Sequence, residues 1–278
     1  MKKLKFIFQI LKYLAIIVFL LFIQVFLVER YYVRFPEYEY KNSKIPKEFD
    51  GYRIAVITDV HYGSLDPGFW IQWVFENVKE KNPDVIVGLG DYVKKSKHSN
   101  ELRNVWPILN DLEAKDGVFL VNGNHDHWAN SKLAKSKLEE SGKSLENKTT
   151  YISRRGSKVY FAGIGDFWEH KTNPDFVLTK MPQNNFKILI MHNPDAINMN
   201  HKLRADLVLA GHTHGGQVRI PILNYSPVLP VQNRNFDKGF TKSKYGEDVF
   251  ISAGMGWSIL PVRFFCPAEV PIIVLRSK

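Results

Sequence analysis

Short apolar runs that end in Asp, His or Asn recur along the chain, and this repetition constrains the fold more than any other feature. The runs are rich in Val, Ile and Leu, as buried strands are, and they occupy residues 53–58, 84–89, 117–121, 186–191 and 206–210. Helical patterns separate the first three runs. Because strands and helices alternate, we predict parallel strands whose polar ends lie at one edge of a sheet.

The patterns between the runs predict helices. Asp66 as N-cap and Pro67 at the first helical position predict a helix through residue 78. A second apolar stripe at residues 100–115 predicts another helix, in which Pro107 is expected to cause a kink or a break. The remaining predicted elements are a helix at residues 128–140 and a hairpin of two strands at residues 149–153 and 158–164.

The polar groups at the ends of the runs are of the types that bind metal ions. They are Asp59, His61, Asp91, Asn124, His192, His212 and His214. Carboxylate, imidazole and amide oxygen together suit manganese, iron or zinc ions. Two such cations repel each other, so a negative ligand must bridge them, and Asp91 is the obvious bridge. His125 lies beside a candidate ligand, where it is placed to protonate a leaving oxygen. The single cysteine, Cys266, excludes a Cys-rich zinc cluster.

In this order, the motifs resemble the signature of the calcineurin-like metallophosphoesterases across residues 53–275. The resemblance implies an α/β fold of the α+β type, namely a β-sandwich flanked by helices, with two divalent metal ions (manganese, zinc or iron) at the strand ends. It implies His125 as the catalytic histidine. By the same resemblance, one ion takes Asp59, His61, Asp91 and His214, and the other takes Asp91, Asn124, His192 and His212.

A narrower resemblance is to the membrane-associated YkuE/YaeI-like branch of that family, which includes some UDP-diacylglucosamine pyrophosphatases. It rests on the apolar N-terminal segment, on Gly215-Gly216-Gln217 after the last candidate ligand, and on residues 254–267. These features indicate lineage more than substrate.

The N-terminal segment is the clearest departure from a soluble protein. Residues 6–28 are apolar apart from Gln9, Lys12, Tyr13 and Gln24, and a helix needs about 20 residues to cross a membrane. No small residues suited to signal-peptide cleavage follow, which favours a retained anchor. Lys12 leaves open an interfacial helix that lies on the membrane. Basic residues on both sides leave the orientation open.

These features predict three parts of the chain and one enzymatic function. The parts are a membrane anchor at residues 1–28, a linker with a leading strand at residues 29–50, and a metallophosphoesterase domain at residues 51–278. We expect a phosphoesterase at the cell membrane that hydrolyses a phosphodiester or pyrophosphate bond. The resemblance favours a lipid-linked or envelope substrate such as UDP-2,3-diacylglucosamine.

Two other classes of function remain open. One is a nuclease or phosphomonoesterase that acts on a soluble or polymeric substrate, and the other is a non-catalytic membrane scaffold. The formal net charge of +10 favours anionic partners in general. Nucleic acid is the less favoured partner, because the basic residues are scattered and an anchor is awkward for that role. The oligomeric state is left open.

Several further side chains have an open role. Residues 215–247 combine cations such as Arg234 and Lys238 with aromatics, which suits an amphiphilic phosphate or, alternatively, a solvated loop. Three aromatics of the first predicted helix either pack on another layer or form a lipid-contacting rim: Phe69, Trp70 and Trp73. The histidines outside the motifs are expected on the surface, with the cleft as an alternative for the second of them: His98, His127, His170 and His201.

Overall fold

The structure is a computed structural model that describes residues 2–63, 65–94 and 97–278, and two β-sheets form its centre. The first sheet has the order β1-β11-β2-β3-β4 and consists of β1 (Glu37–Asn42), β2 (Arg53–Ile57), β3 (Val85–Gly88), β4 (Val118–Leu120) and β11 (Ile272–Ser277). The second has the order β5-β6-β7-β8-β10-β9 and consists of β5 (Thr149–Arg154), β6 (Ser157–Gly163), β7 (Phe186–Ile190), β8 (Leu207–Ala210), β9 (Gly239–Lys242) and β10 (Asp248–Ile251).

Parallel pairing brings the carboxyl ends of the central strands to one edge of the sandwich. Strands β2, β3 and β4 run parallel in the first sheet, and β6, β7, β8 and β10 run parallel in the second. Every residue of β3, β7 and β8 is buried, as in strands covered on both faces. The prediction of parallel strands from the apolar runs is therefore confirmed.

Three apolar layers hold the sandwich together. The inner layer lies between the sheets and contains side chains of both, such as Val56 and Val87 from the first and Phe161 and Ile188 from the second. The outer face of the first sheet packs on helices. The outer face of the second sheet is covered by Val177 and Leu178 of a short helix and by loop residues such as Met181 and Phe236. The predicted β-sandwich flanked by helices is the observed fold.

Most of the helices flank the first sheet or precede it, and the short helix Asp175–Leu178 packs on the second sheet. They are α1 (Lys2–Ile23), α2 (Glu29–Tyr31), α3 (Gly68–Glu80), α4 (Ser99–Asn110), α5 (Asn124–Glu140) and α6 (Asp175–Leu178). A π-helical turn, Gln24–Val28, joins α1 to α2. Together these first segments form a helix over Lys3–Tyr31 that is long and apolar enough to cross a membrane.

Two of the predicted helix starts are wrong. The residue before α3 is Pro67, and Asp66 makes no cap, because its carboxylate is buried in an ion pair with Arg30, 3.0 Å away. Such a distant partner is invisible to a local pattern. Helix α5 begins at Asn124 rather than at residue 128, so a candidate ligand occupies its first position.

Helix α4 ends earlier than the predicted boundary at residue 115. It runs through Pro107 and ends at Asn110. The Nζ of Lys143 donates hydrogen bonds to the carbonyls of Leu109, Asn110 and Leu112. This ammonium satisfies the carbonyls that a helix end leaves without partners, and it comes from a segment beyond the reach of helical periodicity.

The end of the N-terminal helix is fastened to the domain. The backbone N–H of Arg263 donates to the carbonyl of Val25 at 3.2 Å, and the N–H of Cys266 donates to Glu29 Oε2 at 3.1 Å. Arg30 and Tyr31 both donate to the carbonyl of Leu65. The helix therefore leaves the domain at a fixed place, beside the loop that contains Arg263.

Candidate metal centre

Seven candidate ligands meet at the edge where the parallel strands end. In chain order they are Asp59 and His61 after β2, Asp91 after β3, Asn124 after β4, His192 after β7, and His212 and His214 after β8. All seven are buried. The structure thus brings together every ligand residue that the sequence motifs pointed to, from five strand ends.

The first group consists of Asp59, His61 and His214. The Nε2 atoms of His61 and His214 lie 3.1 Å apart, and the Oδ1 of Asp59 lies 3.3 Å from the Nε2 of His214. This oxygen is buried and has no hydrogen-bond partner among the residues that the structure describes. One carboxylate oxygen and two imidazole nitrogens therefore face the same small volume.

The second group consists of Asp91, Asn124, His192 and His212. The Nε2 of His192 lies 3.0 Å from the Nδ1 of His212, 3.1 Å from the Oδ1 of Asn124 and 3.2 Å from the Oδ2 of Asp91. The same Asp91 oxygen is 3.7 Å from the Nε2 of His61 in the first group. Asp91 therefore lies between the two groups.

Backbone carbonyls fix which nitrogen of three imidazoles carries hydrogen. The Nδ1 of His61 lies 3.2 Å from the carbonyl of Val93, the Nδ1 of His192 lies 2.9 Å from that of Leu89, and the Nε2 of His212 lies 3.0 Å from that of Pro230. A carbonyl only accepts, so these nitrogens donate in the neutral ring. The other nitrogen of each ring therefore presents its lone pair to the centre, as metal ligands do.

Backbone strain is concentrated in the same residues. Five of the seven have a positive φ: Asp59 (52°), His61 (49°), Asp91 (55°), His212 (70°) and His214 (53°). This region is uncommon for residues other than glycine, and such strain persists where the surroundings enforce it, which is frequently at functional sites. The loops hold these side chains inward at a conformational cost.

The electrostatics of the centre call for positive charge. Burial raises the pKa of Asp59 to about 6. Burial lowers the pKa of His192, but the carboxylates of Asp91, Asp59 and Asp166 together outweigh this and raise it to about 10. Burial and the neighbouring His125 hold the pKa of His61 well below its usual range. Two buried carboxylates thus lie among imidazoles that are mostly neutral, an arrangement that bound cations stabilise.

The residues fit a pair of divalent cations. His192 and His212 direct lone pairs at each other across 3.0 Å, which is favourable only when a proton or a cation lies between them. The Oδ1 of Asp59, which lacks a hydrogen-bond partner among the described residues, is likewise free to coordinate a cation. Imidazole, carboxylate and amide oxygen form a donor set for zinc, manganese or iron, and the buried cysteine thiol takes no part.

His125 lies at the rim of this centre. Its backbone N–H donates to the Oδ1 of Asp91 at 2.8 Å, and its Nδ1 lies 2.8 Å from the carbonyl of Lys94. Because that carbonyl fixes the hydrogen on Nδ1, Nε2 is the nitrogen that exchanges a proton. The ring packs against those of His61 and Trp128, so its orientation is fixed.

Asp126 organises the loops without facing the centre. Its carboxylate accepts hydrogen bonds from the backbone N–H groups of Asp91, Tyr92, Val93 and Gly123. A Cβ atom on Gly123 would lie 2.3 Å from the Oδ1 of Asp91, so the approach requires glycine. These contacts commit the Asp126 carboxylate to orienting the loops that carry Asp91.

Sequence reasoning missed two cations beside the centre. The Nζ of Lys94 lies 4.3 Å from the centroid of the Trp257 ring, and the carbonyl of Lys94 holds His125. The guanidinium of Arg263 is fully buried. The position of Lys94, three residues after Asp91 at the same strand end, was a usable signal for it. Arg263 lies within residues 254–267, which carry the narrower resemblance, but nothing in that stretch indicated that its guanidinium is buried beside the centre.

Arg263 holds the loop between the N-terminal helix and the centre. Its guanidinium donates to four backbone carbonyls, those of Ala253, Gly254, Gly256 and Cys266. The N–H of Gly256 in turn donates to the carbonyl of Asp59. A single buried side chain therefore connects the backbone of a candidate ligand to the place where the helix leaves the domain.

Arg263→Met is expected to lower the free energy of unfolding by about 3 to 5 kcal/mol, because it leaves several buried carbonyls without donors. Thermal unfolding of the full chain in detergent, followed by near-UV circular dichroism, measures the effect. Arg103→Met replaces an exposed arginine of α4 and should change stability by less than about 0.5 kcal/mol. Equal stability of the two variants would show that the carbonyl network contributes little.

The comparisons with known proteins agree with this geometry. A family model described as calcineurin-like phosphoesterase matches residues 52–216, which is more than half of the chain. The metallophosphoesterase YkuE of Bacillus subtilis is 29% identical over 258 residues, covering 90% of this chain and 88% of that protein. The phosphodiesterase YaeI of Escherichia coli is 28% identical, covering 81% of this chain and 82% of that protein.

A third relative has a substrate in its name. The UDP-2,3-diacylglucosamine pyrophosphatase LpxG of Chlamydia muridarum is 24% identical, covering 83% of this chain and 86% of that protein. Some other bacterial relatives are longer, and the chain spans 62% to 64% of their length.

Proposed function

The chain belongs to the calcineurin-like phosphoesterase family, whose members are hydrolases with a dinuclear metal site, and on that premise we propose that it hydrolyses a phosphodiester or pyrophosphate bond with two metal ions held by the seven buried ligands. One observation carries the proposal: seven side chains of ligand type converge from five strand ends, five of them on strained backbone. Structural packing alone gives no reason for this arrangement.

The ligands divide between the two ions through Asp91. Asp59, His61 and His214 would hold one ion, and Asn124, His192 and His212 would hold the other, with Asp91 shared. Manganese, zinc and iron all suit these donors. Such ions supply Lewis acidity toward a phosphoryl group and make a water molecule more acidic.

The remaining chemistry belongs to side chains at the rim. His125 would give a proton from Nε2 to the leaving oxygen, since its Nδ1 is committed to the carbonyl of Lys94. The Nζ of Lys94, over the ring of Trp257, is placed to attract a phosphate oxygen of the substrate. Trp128 and Trp168 stack beside His125 and His212 and would limit access of bulk water.

We further propose that the substrate is an amphiphilic or lipid-linked phosphate at the cell membrane, with residues 1–28 as the anchor. The loop tips with the most exposed apolar side chains are Ile222 (102% exposed) and Ile259 (84%). The two loops are joined, because the Nε2 of Gln217 donates to the carbonyls of Leu260 and Val262. The neighbouring Arg263 contacts the end of the helix.

The exposed apolar side chains therefore lie on two loops that are hydrogen-bonded to each other and, through Arg263, to the end of the helix. Clusters of exposed apolar side chains of this kind mark membrane or protein contacts, and the adjoining helix selects the membrane. The name of the Chlamydia relative is consistent with a lipid-bearing pyrophosphate as substrate. Three hydrogen bonds link the helix to Asp59, namely Val25 to Arg263, Arg263 to Gly256 and Gly256 to Asp59, so an anchor at this place would keep the centre near the bilayer surface.

The double variant Ile222→Ser/Ile259→Ser is expected to raise KM for a lipid-linked pyrophosphate in vesicles by about tenfold, since it removes apolar area from the membrane-facing loops. KM for the soluble substrate bis(p-nitrophenyl) phosphate should stay unchanged. Phe176→Ser, an equally apolar exposed site on α6, is the matched control.

Equal effects on the two substrates would contradict a membrane role of these loops. Arg234, one of the loop cations, is less suitable for this test, because its guanidinium donates to Tyr225 and to the carbonyl of Ser226. Replacing Arg234 would remove these hydrogen bonds as well as the positive charge, so the apolar pair gives the cleaner result.

DNA added as a competitor tests the nuclease alternative, and inhibition by DNA with none by the lipid would favour that alternative.

A further inference from the structure

A second cluster of ligand-type side chains lies behind the rim of the centre. It consists of His127, Glu146 and His170, and one ligand atom of each residue lies within 4.8 Å of the others. The imidazole rings are 4.6 Å apart at an angle of 69°. None of the three belongs to the proposed catalytic ligands.

The cluster contains buried polar atoms without partners. The Nδ1 of His127 lies 3.1 Å from the Oγ of Ser131, whereas its Nε2 is buried and has no hydrogen-bond partner within residues 2–63, 65–94 and 97–278. The Nδ1 of His170 is likewise buried and lacks a hydrogen-bond partner among the described residues. His127 is only 4% exposed, and a buried polar group left unpaired costs about 1–3 kcal/mol. Two such nitrogens in one cluster indicate a bound partner, and a cation between them would satisfy both.

The carboxylate supplies the charge that a cation needs. The Oε2 of Glu146 accepts a hydrogen bond from the backbone N–H of Asn122 at 3.2 Å, which leaves the other oxygen for a further partner. Asp166, beside the cluster, has a buried Oδ1 without a partner. Two imidazoles and a carboxylate are the protein ligands of many zinc sites.

We propose that His127, Glu146 and His170 bind a third metal ion, with Zn²⁺ as the best match to two imidazoles and one carboxylate. Both His127 and His170 were expected on the surface. The expectation is wrong for His127, which is buried, whereas His170 is half-buried. This site is independent of the proposed reaction, because it uses none of the seven ligands.

The three ligands come from segments that the ion would tie together. His127 is on α5, Glu146 is on the connection that pairs with Leu120 and Gly163 between the two sheets, and His170 follows β6. An ion shared by these segments would fasten the helix that carries His125 to both sheets. Its role is thus the positioning of the rim rather than the reaction.

The segment of His170 also covers the catalytic centre. The ring of Trp168 lies 4.5 Å from that of His212 and stacks on Trp128 at 5.8 Å. Glu169 accepts a hydrogen bond from the indole N–H of Trp128 at 2.9 Å. A metal ion on His170 would therefore hold these two tryptophans in place over the centre.

The test is the metal content of full-length protein in detergent, loaded with Zn²⁺, dialysed and measured by mass spectrometry. We expect three zinc ions per chain in the wild type and in His98→Gln, which replaces an exposed histidine, and two in Glu146→Gln and in His170→Gln. Near-UV circular dichroism confirms that each variant is folded. Two different ligands are replaced, so that the proposal stays testable when one variant does not fold.

Equal zinc content in the wild type and both folded ligand variants would overturn the proposal and leave ordered water as the partner of these nitrogens. The catalytic centre is tested separately in the same assay by Asp91→Asn. Asp91→Asn is expected to lose zinc from the catalytic centre and to retain one ion. If Glu146→Gln in the same chain then removes that remaining ion, the two sites are independent. If the assignment of the catalytic centre is wrong, Glu146→Gln should still bind one zinc ion fewer than the wild type.

Discussion

Asp91→Asn is expected to reduce the hydrolysis of bis(p-nitrophenyl) phosphate on the order of a thousandfold. The carboxylate lies 3.2 Å from His192 of one ligand group and 3.7 Å from His61 of the other. It is therefore the one negative charge that both ions would share. An amide of the same shape keeps the packing but leaves two cations facing each other without that charge.

Metal content should fall together with turnover in this variant. Asp111→Asn, at the exposed end of α4, is the matched control and should behave as the wild type does. The expected result is fewer bound ions and near-complete loss of turnover for Asp91→Asn alone. Near-normal turnover in that variant would show that Asp91 does not bridge two ions.

His125→Ala is expected to keep both catalytic ions and to lose turnover by about a hundredfold to ten-thousandfold, the usual contribution of a positioned acid or base. The structure gives the reason: the Nδ1 of His125 is bound to the carbonyl of Lys94, which directs Nε2 to exchange the proton. The loss should be greatest for substrates whose leaving group is a poor one, such as an alkoxide, because these depend most on protonation.

The measurement compares kcat/KM for an alkyl and a p-nitrophenyl phosphodiester, with metal content determined on the same sample. His98→Ala, at an exposed histidine before α4, is the control for loss of an imidazole. Equal losses for the two leaving groups would rule out the acid role, since ground-state binding alone affects both substrates alike.

The sequence sufficed for the central strands and the ligand set because both depend on local pattern. The apolar runs at β3, β7 and β8 are buried on both faces, so their composition identifies them. Strand ends must carry the ligands, because parallel strands present their carboxyl ends together. The seven ligand-type side chains are accordingly found in one place.

Features that depend on distant partners could not be read from the sequence. Asp66 has the pattern of a helix cap but forms a buried pair with Arg30. His201 lies in a polar stretch and was expected on the surface, yet it is buried at 2.7 Å from Glu247. Among the aromatics of α3, Trp70 packs on Tyr31, whereas Phe69 and Trp73 are exposed.

The same limit explains the residues around the centre that were missed. Arg263 lies in the stretch of residues 254–267 that carries the narrower resemblance, but its role arises only when four carbonyls from residues 253–266 close around it. The cluster of His127, Glu146 and His170 likewise forms only when two sheets and a helix meet.

The measurement that tests the central claim most directly is turnover of bis(p-nitrophenyl) phosphate by the full-length protein before and after removal of its metal ions. Chelation and dialysis are expected to abolish turnover, and Mn²⁺ or Zn²⁺ added back should restore it in the wild type but not in Asp91→Asn. Hydrolysis that continues unchanged in the metal-free protein would contradict the assignment of a dinuclear metal centre to these seven residues.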